Sequence, residues 1–394
     1  MDILYNISIW LYVLLINATS LFNSKAKLWK KGRKNIFNQL QKTLQNDKKI
    51  VWFHCASLGE FEQIKTILID YKVKYPHHKI LLTFFSSSGY ESKKNTPLCD
   101  WVFYLPADTK SNAKKFIQIV KPIKAIFVKY EFWFNYMHEL KQLGIPLYSI
   151  SSVFRKNQLF FINKWWGKQL KNVYHFFVQD ENSANLLNKI GINKFTVVGD
   201  TRFDCVFYNS KNLTKNSLIE QFCKNKRTII CGSTWPKDET ILIKYIKNHP
   251  NNNYIIAPHE MYYISKLKKR TNGLLYSEAN TKNILKKNIL IINTIGILSN
   301  IYQYGHIAYI GGGFEKGIHN ILEAITFGLP VVFGPKYHKF NEAKEYIHKK
   351  GAITISNYSD LISAFKSFEN FDNSIAHKFI KKNTGATKKI INLL

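Results

Sequence analysis

The run Gly311-Gly312-Gly313-Phe314-Glu315-Lys316-Gly317-Ile318-His319-Asn320-Ile321-Leu322-Glu323 follows an apolar segment, Ile307-Ala308-Tyr309-Ile310, that reads as a buried strand. The pattern predicts a helix after it, stopping at Gly328 with Pro330 just beyond. A second buried strand, Pro330-Val331-Val332-Phe333, closes at Gly334-Pro335. Strand, glycine loop, helix, strand is the unit that points backbone N–H groups and a helix N-terminus at an anion. Glycine lets the backbone come close to a phosphate. Glu323, about one turn into the helix, is placed to reach sugar hydroxyls beside that phosphate. The implied ligand is a phosphorylated sugar donor.

Working outward, apolar runs alternate with helical patterns along the chain. Strands are predicted at 50–53, 80–85, 101–105, 125–128, 146–150, 175–178 and 195–198. A polar stretch rich in lysine and asparagine, 208–226, reads as a linker. The alternation restarts at 228–231, 254–257, 289–292, 307–310 and 330–333. Strands alternating with helices form parallel sheets covered on both faces. The expectation is two doubly wound α/β domains in tandem, 36–207 and 227–394, facing a cleft that holds the active site.

The chain has 394 residues, 45% of them hydrophobic, enough for two ordinary cores. Its five cysteines, Cys55, Cys99, Cys205, Cys223 and Cys231, are scattered and form no CxxC pair. That pattern argues against a disulfide framework or zinc site and favours a reducing compartment. The formal net charge is +31. Part of it reflects A/T-rich codon usage, visible in the Lys, Asn, Ile, Phe and Tyr content. Local clustering is the informative part. Residues 3–22 are mostly apolar, with Asn6, Asn17 and Ser20 near one helical face. Lys25, Lys27, Lys30, Lys31, Arg33 and Lys34 follow with no acid among them. Residues 1–35 therefore read as a membrane-anchoring helix, long enough to span the bilayer, with a basic flank on the cytoplasmic side; the alternative is a core helix of the first domain. The polar stripe suits a helix lying in the interface, drawn to anionic headgroups. All candidate catalytic motifs lie later, so residues 1–22 read as dispensable for chemistry.

Four further segments carry candidate chemistry. Ser57-Leu58-Gly59-Glu60 follows the first strand; Glu60 is either the far half of a capping box or a general base facing the ligand edge. Glu131 lies in Lys129-Tyr130-Glu131-Phe132-Trp133-Phe134, and desolvation there raises a carboxyl pKa unless a cation or hydrogen bond compensates. It is either a site residue or a solvated loop acid. Gly232, Ser233 and Thr234 open a helix after the first strand of the second domain and could contact an anion. Arg202, in Gly199-Asp200-Thr201-Arg202-Phe203-Asp204, is a cation near the hinge.

Taken together, the motifs resemble a known family. The segments in order are His54-x-x-Ser57-x-Gly59-Glu60, Glu131-Phe132-Trp133 and Gly199-x-x-Arg202-Phe203-Asp204, then Gly232-Ser233-Thr234. Gly312-Gly313 with Gly317-x-His319-Asn320-x-x-Glu323 completes the set, and Gly32-Arg33-Lys34 fits beside it. They resemble the 3-deoxy-D-manno-octulosonic acid (Kdo) transferases of lipopolysaccharide synthesis. This chain departs from the family pattern in four places. Phe134 stands where a proline is usual, and Arg202 where a lysine is. His259 stands in place of the arginine of a Pro-Arg-His motif, and Asn293 replaces an aspartate.

The resemblance implies a GT-B glycosyltransferase with two Rossmann-like domains. It implies transfer of Kdo from CMP-Kdo to a lipid A precursor (lipid IVA), with inversion and release of CMP, at the cytoplasmic face of the bacterial inner membrane. Glu60 falls on the base and Glu131 on a second acidic position. Arg202, Gly232, Ser233, Thr234, Gly312, Gly313, Gly317, His319, Asn320 and Glu323 are expected at the donor. Ser57 and Gly59 are expected at the acceptor. No metal or other cofactor, and no nucleic acid, is expected. The rivals are a GT-B cell-envelope enzyme using a UDP-sugar, and a non-enzymatic basic membrane or nucleic-acid binder. The second would interleave aromatics with basic residues on one face, a module the sequence lacks.

Overall fold

The computed structural model describes residues 1–44 and 49–394. It divides into two compact units, Met1–Cys205 with Thr384–Leu394, and Val206–Asn383.

The first unit holds seven parallel strands, β1 (Ile50–Cys55), β2 (Lys79–Phe84), β3 (Trp101–Tyr104), β4 (Lys124–Val128), β5 (Leu147–Ser152), β6 (His175–Val178) and β7 (Phe195–Val197). Their order is β3-β2-β1-β4-β5-β6-β7. Alternate residues of each strand serve opposite faces. Trp52, Leu81, Ala125 and Phe127 enter one core, whereas Val51, Phe53, Leu82 and Ile126 enter the other. That two-sided burial is why these segments read as continuous apolar runs.

The second unit repeats the plan with β8 (Thr228–Thr234), β9 (Asn253–Pro258), β10 (Leu274–Leu275), β11 (Ile289–Ile291), β12 (Ile307–Ile310), β13 (Val331–Phe333) and β14 (Ala352–Thr354). Its order is β10-β11-β9-β8-β12-β13-β14, all parallel. β10 and β14 are the strands the sequence reading passed over. Both lie at sheet edges and are only two and three residues long.

The boundaries differ from the sequence expectation in two ways. The stretch 208–226 contains the end of the helix Thr201–Lys211 and the helix Ser217–Cys223, whose Ile219 and Phe222 are buried in the second unit. The helix Ala386–Leu393 belongs to the first unit, not to 227–394. Its stripe of Ala386, Ile390 and Ile391 joins the core of the first unit, and Thr387 Oγ1 lies 2.7 Å from Thr66 Oγ1. The Asp204 carboxylate accepts the N–H groups of Gly385 and Ala386 and so holds the start of this helix.

Three helices precede β1: α1 (Asp2–Thr19), α2 (Ser24–Gly32) and α3 (Ile36–Thr43). α1 is the one helix among the described residues long and apolar enough to cross a membrane. Its face carrying Tyr5, Asn6, Ile9, Val13, Ile16 and Asn17 is partly covered. The opposite face, with Ile3, Leu4, Ile7, Trp10, Leu11, Leu14 and Leu15, is exposed. Arg33 departs from its reading as a headgroup-facing cation. Its guanidinium lies 3.8 Å from the centre of the Trp29 ring and donates to the carbonyls of Leu105, Phe85 and Trp29. Burial pushes it down to about 9, so it remains charged at neutral pH.

Candidate active site

Strand order reverses between β1 and β4 in the first unit, and between β8 and β12 in the second. In open α/β sheets ligands gather at such switch points, beyond the carboxyl ends of the strands. The Glu60, Glu131 and Gly311–Glu323 segments follow β1, β4 and β12, and Gly232-Ser233-Thr234 forms the carboxyl end of β8.

In the first unit, Ser57 is the N-cap of the helix Leu58–Lys74, yet its side chain makes no capping bond. Glu60 supplies the reciprocal half, accepting backbone N–H groups from Ala56 at 2.5 Å and from Ser57. The carboxylate therefore stays at the strand-to-helix turn. Burial, then the nearby Glu131 charge, raises its pKa from 4.5 to about 7, against the lowering pull of the Ala56 N–H and Lys129. Gly59 beside it is exposed, and a Cβ there would meet nothing within 4 Å.

Glu131 follows β4. Its Oε2 accepts the indole N–H of Trp133 at 2.9 Å and lies 3.4 Å from His54 Nε2. His54 is fully buried on β1, and its Nδ1 lies 2.9 Å from Thr83 Oγ1, which also accepts from Trp52 Nε1 at 2.8 Å. A chain of hydrogen bonds thus runs from the core to Glu131. His54 and Trp133 stand in the quoted motifs, but a buried histidine on an apolar strand gives no functional signal of its own. Lys129 and Ser151, past and near the ends of β4 and β5, have φ of 57° and 55°. Non-glycine residues hold such conformations at a cost of about 1–3 kcal/mol, and they concentrate at functional sites.

In the second unit, Asp238 organises the loops, a role the sequence reading did not assign. It is fully buried and accepts Gly312 N–H at 2.9 Å, Trp235 N–H at 2.9 Å and Tyr309 O–H at 2.8 Å. Gly312 has φ of 90°, and a Cβ on it would press 2.4 Å from Gly317 O. A Cβ on Gly232 would lie 2.0 Å from Tyr302 Oη, so close packing alone accounts for that glycine. Thr234 Oγ1 donates to the buried Glu239, and Ser233 sits at φ 53° where the β8 register shifts.

The helix after the glycine run is a single turn, Leu322–Ile325, and 317–321 is irregular. Glu323 falls in its first turn and accepts Asn320 Nδ2 at 3.1 Å. Asn320 Oδ1 in turn accepts Leu322 N–H. The segment expected to face an anion is therefore loop and side chains rather than the start of a long helix. His319 Nε2 accepts the Trp235 indole N–H at 3.1 Å, which in the neutral ring leaves the proton on Nδ1. Burial, then the neighbouring His259, lowers its pKa to about 4. Trp235 stacks on His259 at 4.8 Å, and the His259 ring lies tilted 4.3 Å from that of His319. Arg202 lies in the first unit, where it pairs with Asp200 at 2.6 Å.

Two doubly wound parallel units, each with its loops at a switch point, define the GT-B class of fold. The UDP-GlcNAc 2-epimerase of Neisseria meningitidis, solved with UDP-GlcNAc, is similar in fold. Its TM-score is 0.62 at 15% identity, covering 88% of this chain and 99% of that one. Residues 31–205 match the family described as 3-deoxy-D-manno-octulosonic-acid transferase (kdotransferase). The chain is 27% identical over 330 residues to the 3-deoxy-D-manno-octulosonic acid transferase of Aquifex aeolicus, covering 82% of this chain and 87% of that one. It is 28% identical over 351 residues to the transferase of that name from Rickettsia typhi, covering 85% and 75%. The likeness to Kdo transferases thus extends from that family match across more than four fifths of the chain.

Proposed function

We propose that the protein transfers Kdo from CMP-Kdo to a hydroxyl of a phosphorylated, acylated lipid A precursor, with inversion. The observation that carries this reading is Glu60, a turn carboxylate at the switch point whose pKa of about 7 matches a base working near neutrality. Glu60 takes the proton of the acceptor hydroxyl as its oxygen bonds to the anomeric carbon. The bond from that carbon to the phosphate oxygen breaks, and its electron pair leaves on CMP. Base catalysis of this kind contributes roughly 10²–10⁴-fold. Glu131 makes Glu60 a stronger base by its charge, which raises the Glu60 pKa, and shapes the pocket. His319, Asn320 and Glu323 hold the donor, with Ser233, Gly313 and Gly317 lining its loop. Ser57 and Gly59 leave room for the acceptor. No metal takes part.

The N-terminal region supports a lipid substrate at the cytoplasmic membrane face. The outward side of α1 is an apolar strip, suited to lie in a bilayer interface. Beside it runs a groove of about 980 Å³, lined by Val13, Leu21, Trp29 and Phe37, with Lys27, Lys30, Lys31, Lys34 and Lys115 and no acid. Apolar walls with a cationic rim suit acyl chains and phosphate. The test is direct: incubate the protein with a CMP-Kdo-generating system and lipid A precursor, and weigh the products. Mass gain by Kdo is expected. Stabilisation by UDP and not by CMP in a thermal shift would favour a UDP-sugar enzyme instead.

A further inference from the structure

The inner face of α1 does more than attach the helix. Tyr5 Oη donates to Asp108 Oδ2 at 2.6 Å and accepts Phe134 N–H at 3.3 Å. Asp108 is buried and accepts the N–H groups of Asn135 and Tyr136, each at 3.0 Å. These three amides open the helix Phe134–Gln142, whose N-cap is Trp133. Helix starts leave such donors unpaired unless something caps them, and Trp133 offers no side-chain cap. The cap comes instead from Asp108 and, across more than a hundred residues of chain, from Tyr5. Asn6 adds a bond to Asn135 Nδ2 at 3.1 Å. A second route runs through rings. Tyr12 stacks on Phe85 at 5.9 Å, and Phe85 lies 4.7 Å from Trp133. The first route ends on the three amides that directly follow Trp133, and the second on the Trp133 ring itself, whose indole holds the Glu131 carboxylate.

We propose that α1 is a positioning element of the reaction site: Tyr5 and Tyr12 fix Trp133, and through it Glu131. This rests on the reading that Glu60 and Glu131 stand at the reacting centre. It departs from the expectation that residues 1–22 serve the membrane alone. A mere anchor could be exchanged for any lipid anchor. This helix could not, because the partly covered Tyr5 and the more exposed Tyr12 complete the support of the 131–134 loop. A displacement of about 1 Å at such a group costs on the order of 10²-fold in rate.

The test uses the full chain in detergent with dispersed acceptor, so that membrane binding does not limit turnover. Three variants are compared: Tyr5→Phe, which keeps the ring and removes the hydroxyl; Tyr12→Leu; and Leu11→Ser with Leu15→Ser on the outward face. The readouts are amide hydrogen exchange at 131–137, binding to anionic vesicles, and kcat and KM for the Kdo donor across pH. Both tyrosine variants should exchange about tenfold faster at 134–136, lose kcat about tenfold or more, and shift the acidic limb of the profile. Donor KM and vesicle binding should hold within about twofold of wild type. The outward pair should do the reverse, losing vesicle binding while keeping exchange and kcat. Wild-type exchange in both tyrosine variants would overturn the proposal. So would faster exchange with unchanged kcat and pH profile, which leaves Tyr5 a structural cap. A wild type that transfers no Kdo sinks the functional reading instead, while the exchange data still decide whether α1 holds the loop.

Discussion

Asp238 accepts the backbone N–H of Gly312 at 2.9 Å. The amide that the glycine run was expected to aim at a phosphate is thus committed inside the protein. The buried carboxylate joins the first turn of the helix Pro236–Asn248 to the loop after β12, and Tyr309 Oη closes the arrangement from the strand itself. The loop is held in place from behind by that acid.

Asp238→Ala should therefore damage the loop and the fold together. It strands three buried donors, the N–H groups of Gly312 and Trp235 and the Tyr309 hydroxyl. Each unsatisfied donor costs about 1–3 kcal/mol. A loss of at least about 3 kcal/mol in urea melts is expected, with weaker CMP binding in whatever stays folded. Stability within about 0.5 kcal/mol of wild type would show that the loop holds itself.

Glu60→Gln should abolish transfer with CMP binding intact, and the wild-type pH profile should reveal why. With Glu60 near 7, the basic form falls about tenfold per pH unit below that value, so kcat/KM should drop along an acidic limb centred there. Lys129→Met should move the limb upward, because Lys129 lowers the Glu60 pKa. Stability gives a second check. The native carboxyl titrates near 7 and the unfolded one at its ordinary 4.5, so the native state holds the extra proton between those values. Stability then falls as pH rises through that window, and the Gln variant should lose this slope. A variant keeping more than about a tenth of turnover would make Glu60 a cap alone.

The strands were legible because both faces of each sheet are buried, which writes uninterrupted apolar runs into β1, β4, β8 and β12. The edge strands β10 and β14 were not, being too short to carry a pattern. Ser57-x-x-Glu60 showed its position but not its balance. Only the structure brings Glu131 close enough to raise the Glu60 pKa, a contact between segments about 70 residues apart. Asp238 was hidden for the opposite reason. An acid in a first helical turn is ordinary, and its distant partners, Tyr309 and Gly312, leave no trace in local spacing. Arg33 misled because a cation amid lysines reads as solvated, while its burial depends on carbonyls from the ends of β2 and β3.

His319→Ala, Asn320→Ala and Glu323→Ala should each weaken CMP binding by calorimetry. His319 should matter in a further way, since it accepts the indole N–H of Trp235. Removing it strands that N–H beside His259, so the Trp235 ring should become mobile and its fluorescence quenching by iodide should rise. With its pKa near 4, His319 is neutral over the working range, and CMP affinity should not change through its titration between pH 6 and 8. Unchanged CMP affinity in all three variants would move the donor site elsewhere.

The basic flank separates into two kinds of cation, and they should fail differently. Lys30, Lys31 and Lys34 are exposed and line the groove beside α1. Near an anionic surface each contributes about 1 kcal/mol of attraction. Replacing the three by Gln should weaken vesicle binding strongly at low salt and little at high salt, where screening has already removed the attraction. At saturating dispersed acceptor kcat should stay near wild type while the acceptor KM rises, because these lysines rim the groove and not the reacting centre. Arg33→Gln should behave otherwise, because the buried guanidinium satisfies three backbone carbonyls and packs on Trp29. Bonds from a charged donor are worth about 1.5–3 kcal/mol each, so a loss of roughly 3 kcal/mol or more is expected, insensitive to salt. Vesicle binding by the triple Lys variant equal to wild type at low salt would reduce those lysines to codon drift. A stable Arg33→Gln protein that binds vesicles weakly would return Arg33 to the membrane surface.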